Sequence, residues 1–64
     1  MDEFVRAVEA TIFASREPLT VEEIQGHAGE GDVEAALQAL AEIYTGRGVE
    51  LVERGGRWHF QTAP

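Results

Sequence analysis

Thr20-Val21-Glu22-Glu23-Ile24-Gln25-Gly26-His27-Ala28-Gly29 and, after Glu30-Gly31, the run DVEAALQALAEIYTG from Asp32 to Gly46 read as helix, glycine-rich turn, helix. Thr20 and Glu23 have capping-box spacing: the threonine hydroxyl can accept the Glu23 N–H while the glutamate reaches back to the Thr20 N–H. Leu19 before the cap and Ile24 at the fourth helical position suit a hydrophobic staple. The pattern predicts a helix running to about Ala28, closed by Gly29 at positive φ. Asp32 is expected to cap the next helix, which puts Val33, Ala36, Leu37, Leu40, Ile43 and Tyr44 on one stripe. Gly46 ends it. Ala35, Ala36, Ala39 and Ala41 favour helix and predict a thin, smooth outer face.

Downstream, Val49 to Arg54 and Arg57 to Gln61 flank Gly55-Gly56. A two-residue glycine loop suits a type I′ turn, in which both central residues take positive φ. That turn dictates the register: Arg54 opposite Arg57, Glu53 opposite Trp58, Val52 opposite His59, Leu51 opposite Phe60. Alternation then turns Val49, Leu51 and Phe60 towards the core, with Trp58 nearby. Val52, His59, Arg54 and Arg57 face the other way. Upstream, Phe4, Val5, Val8, Ile12 and Phe13 recur at helical spacing, which predicts a first helix from about Asp2, its cap, to Ala14. Pro18 forbids its continuation. Glu17-Pro18-Leu19 is left as an extended link with an opportunity to pair briefly with the hairpin. Three helices and a small antiparallel hairpin, mainly α, make the outline of a winged helix-turn-helix.

Sixty-four residues allow one domain, 1–64. A chain this short buries only about 60% of the surface it exposes when unfolded. Disulfides cannot compensate, because cysteine is absent. Association with another chain is the remaining route to added stability. No apolar run approaches the ~20 residues of a membrane span. Asp2 and Glu3 give the N-terminus the wrong charge for a secretory leader, so a cytoplasmic protein is expected.

Charge decides between partners. Twelve acids face five arginines and no lysine, a formal charge of −7. Between Thr20 and Gly46 there is no basic side chain, but there are six acids: Glu22, Glu23, Glu30, Asp32, Glu34 and Glu42. In a helix-turn-helix the second helix ordinarily enters the major groove, and here it would meet phosphate with like charge. Arg47, Arg54 and Arg57 form the only basic cluster. Two or three phosphate contacts from them would give weak, strongly salt-dependent binding, the basis of a rival reading as a DNA-binding regulator that works through the wing.

Glu9-Ala10-Thr11-Ile12-Phe13-Ala14-Ser15, Glu17-Pro18-Leu19-Thr20, Leu37 to Tyr44, and Gly46-Arg47-Gly48-Val49-Glu50-Leu51-Val52-Glu53 through Gly55-Gly56 to Trp58 occur in an order and spacing that resemble the N-terminal domain of the bacterial segregation and condensation protein B (ScpB) family. The resemblance covers nearly the whole chain. It implies a winged-helix module that self-associates and works with a kleisin subunit in an SMC-type chromosome-condensing complex. Members usually carry two such domains, so the chain is expected to correspond to the N-terminal half, with the second domain absent.

No catalytic constellation is visible. Ser15 is the only serine, and His27 and His59 lie in different elements, so no nucleophile, base and orienting acid are brought together by spacing. His27, Glu30 and Asp32 around a glycine turn are a poor metal set. Gly26 to Gly31 lacks the strand-then-helix context of a phosphate loop. Neither cofactor, metal nor small-molecule substrate is expected. So small a domain cannot enclose Phe4, Phe13, Tyr44 and Trp58 together with Val5, Ile12 and Val52, and an apolar patch should remain as an association surface. Phe4, Val5, Val52, Arg54, Arg57, Trp58 and His59 are the candidate contact residues, taken from the first helix and the hairpin. The expected function is a non-catalytic, dimerising protein-interaction domain.

Overall fold

A computed structural model describes every residue from Met1 to Pro64. The elements are α1 (Glu3–Ala14), β1 (Leu19–Thr20), α2 (Val21–Ala28), α3 (Val33–Tyr44), β2 (Val49–Arg54) and β3 (Arg57–Thr62). The strands form one antiparallel sheet in the order β1-β3-β2. Helix-turn-helix followed by hairpin, with the first helix packed behind, is a winged helix.

Each helix starts where an oxygen side chain satisfies its free N–H groups. Asp2 Oδ1 accepts from Phe4 and Val5, and Asp32 Oδ1 accepts from Ala35 at 3.1 Å. The capping box on α2 is complete, with Thr20 Oγ1 accepting from Glu23 N at 3.1 Å and Glu23 Oε1 from Thr20 N at 2.9 Å. The backbone hydrogen bond from Thr20 holds the Glu23 carboxyl below its ordinary value of 4.5, with the Thr20 hydroxyl and Arg57 helping. A carboxyl acidified by folding stabilises the native state above its unfolded pKa and loses that effect as pH falls through the folded one. Thr20→Ala removes the cap oxygen and should cost about 1 kcal/mol. The cost of Glu23→Ala, which removes the carboxylate itself, should shrink in urea titrations run progressively below pH 4.5; a penalty constant down to pH 2 would show that the Glu23 charge contributes nothing to the box.

The hairpin has the expected register from Arg54↔Arg57 to Leu51↔Phe60, with Gly55 and Gly56 at φ 60° and 80°. Glu53 Oε2 also accepts from Gly56 N at 2.6 Å, tying down the turn. β3 runs one residue beyond expectation, to Thr62, which pairs with Val49. The link before α2 does pair: Leu19 lies opposite Trp58 and Thr20 opposite Arg57.

The fully buried core is Val8 and Ile12 from α1, Ile24 from α2, and Val33, Ala36, Leu37 and Leu40 from α3. Phe4, Val5, Leu19, Tyr44, Leu51, Trp58 and Phe60 pack around it, half-buried. Four expectations need correction. Phe13 is 53% exposed rather than part of the core stripe. On a helix of 3.6 residues per turn it lies about 100° round from Ile12, in the last turn, where the Phe60 and Tyr44 rings reach it but leave half of it open. Ile43, at the edge of the α3 stripe, is half-buried and outside the cluster. Ala36, counted with the outer-face alanines as well as the stripe, is buried. Val49 shares the face of Leu51 but lies too near the strand's end to reach the core; it lines a groove instead.

Candidate interaction surface

The seven candidate contact residues fall in four separate places. Phe4 and Val5, at the start of α1, border a shallow hollow with Gly31 and Ala35 while packing against the core. Their part-burial follows from α1 lying across the α2–α3 turn. Trp58, on the core side of β3, packs down beside Val21 and Glu34.

The wing tip holds Arg54 and Arg57 opposite one another, but the like charges are separated. Arg57 Nη1 swings to α2, donating to Glu23 Oε1 and to the Pro18 carbonyl, each at 3.3 Å. Both side chains of this pair are half-exposed, so it orients Arg57 more than it stabilises the fold. Arg47 is also engaged, its guanidinium carbon 5.8 Å from the centre of the Tyr44 ring. Only Arg54 of the three has neither an ion pair nor a ring contact. The outward surface of α3 carries Glu34, Gln38 and Glu42, all exposed.

Val52 and His59 lie opposite one another on the outer face of the hairpin. His59 is half-buried, and its Nδ1 is buried without a hydrogen-bond partner. It borders a groove of about 340 Å³ between the end of α1, the Ser15–Pro18 link and the far end of β3. The groove wall is aromatic. Phe13 stacks on Phe60 with centroids 4.0 Å apart and planes 8° from parallel. Tyr44 leans on both rings, at 5.0 Å from Phe60 and 6.2 Å from Phe13. The Tyr44 hydroxyl donates to Glu9. That bond, then burial, raises the Tyr44 pKa above 10.0, so the donor stays protonated at physiological pH.

This ledge of Phe13, Phe60 and Tyr44 is what reasoning from the sequence missed. Helical spacing alone puts Phe13 and Tyr44 on the apolar stripes of their helices. The helical-wheel angle of Phe13, and the lack of any further element to cover the end of α1, were the available signals.

The polar candidates are occupied locally. Ser15 Oγ donates to the Glu17 carbonyl at 2.6 Å and accepts from the Glu17 N–H at 3.2 Å, closing a turn. His27, Glu30 and Asp32 do not converge on one point, and Asp32 is used as a helix cap. No helix is long and apolar enough to cross a membrane.

Comparison with known proteins adds to this geometry. The family described as segregation and condensation complex subunit ScpB matches residues 6–64. A segregation and condensation protein B homolog from Coxiella burnetii (strain RSA 493 / Nine Mile phase I) is 38% identical over 63 residues, covering 89% of this chain and 30% of that protein. The crystal structure of a conserved hypothetical protein from Chlorobium tepidum matches with a TM-score of 0.77 and 28% identity, over 97% of this chain and 42% of that one. The chain thus spans less than half the length of either relative.

Proposed function

This chain belongs to the family of segregation and condensation complex subunit ScpB, and from that premise we propose that it is a non-catalytic protein-interaction domain acting in bacterial chromosome segregation and condensation. In this reading it corresponds to the N-terminal of two winged-helix domains, self-associates, and supports the joining of a kleisin subunit to an SMC complex in the cytoplasm, close to the nucleoid. The mechanism is geometric. A symmetric pair holds the partner-binding parts of two subunits at a fixed separation.

The observation that carries this reading is the charge of the helix pair. Glu34 and Glu42 stand on the exposed side of α3, where a DNA-reading winged helix needs neutral or basic side chains. The rival, a regulator gripping DNA through its wing, is disfavoured because Arg57 and Arg47 already have intramolecular partners. Non-catalysis is supported by the local use of Ser15 and by the separation of His27, at the end of α2, from His59 on β3.

Two measurements test the proposal. Sedimentation equilibrium from micromolar to millimolar protein should detect a dimer, and a monomer throughout would defeat the self-association. Mobility-shift titration at low salt should give at most weak retardation. A tight complex, lost steeply as salt is added, would replace the assembly role with DNA binding.

A further inference from the structure

We infer that the groove walled by Phe13 and Phe60 is where a second copy of this chain docks, the two ends of β3 meeting across a two-fold axis with Arg16 of each copy facing Glu17 of the other. This rests on the self-association proposed above and goes further, to a surface and an orientation. Exposure marks the place. Among large apolar side chains only Phe13, at 53%, and the terminal Met1, at 62%, are exposed. Phe13 is also already ordered, stacked on Phe60 and propped by Tyr44, so little rotamer freedom remains to be lost on contact.

Charge selects the occupant. A chain of formal charge −7 repels its own copies over most of its surface. The groove is different: the formal charges among the residues lining it are those of Arg16 and Glu17, which cancel. Two copies can therefore approach here without the penalty they meet at α2 and α3. Because the two residues are adjacent, a two-fold axis brings unlike charges together in both halves of the contact.

The backbone favours the same occupant. Ala63 N donates to Gly48 O at 2.9 Å, which fixes the parity of the hairpin: odd-numbered residues of β3 turn their polar groups towards β2. Phe60 and Thr62 therefore turn theirs to the opposite side, into the groove. β1 covers that side only at Arg57 and Trp58. It goes no further: Glu17, the next residue in line to pair, spends its N–H and carbonyl on the Ser15 hydroxyl, and the chain bends at Arg16 and Glu17. An unpaired strand end accepts another strand, and the same end of a second copy, running antiparallel, is its own complement.

Sedimentation equilibrium on the 64-residue chain and three variants tests this. Phe13→Asp should raise the dissociation constant at least ~10-fold, as expected for a central aromatic contact. Arg16→Glu, which sets four carboxylates face to face, should raise it about 5-fold or more. Arg16→Glu combined with Glu17→Arg should return it to within about 3-fold of the parent, because the pair is only exchanged. Both charged side chains are exposed, so these variants report on association even if Phe13→Asp disturbs the fold. Association of Phe13→Asp equal to the parent, or no rescue by the exchange, overturns the inference and leaves self-association intact on another surface. A parent chain that stays monomeric overturns both.

Discussion

Leu37→Ala should lower stability by about 2–5 kcal/mol, and a domain of this length has only ~3–10 kcal/mol in all. The variant is expected to be largely unfolded at 37 °C. Leu37 is 1% exposed and belongs, with Leu40, to the side of α3 that meets α1 and the hairpin. Its neighbours Val8 and Ile24 are at 0% exposure, so truncation leaves a void with no loose side chain nearby to fill it. Ile43→Ala is the internal control. Ile43 is half-buried and outside the core cluster, and should cost no more than about 1 kcal/mol, the loss of a partly buried side chain without a cavity. Circular-dichroism melts of the two variants beside the parent decide the matter. If Leu37→Ala melts with the parent, or if Ile43→Ala is the worse of the two, the buried face of α3 has been assigned wrongly.

Much of this fold could be read from residues that act locally. Asp2, Thr20 and Asp32 mark helix starts because a side-chain oxygen next to unpaired N–H groups has one obvious use. Gly55-Gly56 fixes the hairpin register because few turns of two residues suit twisted strands, and all later pairings follow from it. The fate of side chains at the ends of elements was less legible. Helical spacing assigns Phe13 and Ile43 to an apolar stripe but says nothing about whether another element extends far enough to cover the last turn. Arg57 illustrates a second limit. Register places it opposite Arg54, whereas its Glu23 partner is 34 positions away in sequence and meets it only because β1 brings the start of α2 alongside β3. The scattering of the seven candidate contacts has the same origin. Composition requires that some apolar side chains stay exposed, but it does not say which of them share a surface.

A second large effect is expected at Gly31, for a reason invisible in the sequence. A Cβ at this position would lie 2.7 Å from each of three atoms of the Phe4 ring, far inside contact distance. The ring lies over the turn between α2 and α3, fastening the start of α1 to it. Gly31→Ala forces Phe4 to swing off, and should cost about 1–3 kcal/mol, the usual penalty for overfilling a packed site. Gly29 gives the contrast, since nothing lies within 4 Å of a Cβ there and its φ of 95° alone disfavours a side chain. Both alanines should destabilise, but only one of them through Phe4. A double-mutant cycle separates the two causes. With Phe4→Ala already present, Gly31→Ala should lose the part of its cost that comes from the ring, a coupling of about 1 kcal/mol or more, and keep the part imposed by its own φ of 159°, while Gly29→Ala should add to Phe4→Ala within ~0.5 kcal/mol. Additivity at Gly31 in urea titrations would mean that the ring does not rest on the turn. The placement of Phe4 as a packing residue, rather than a surface left free for a partner, would then fail with it.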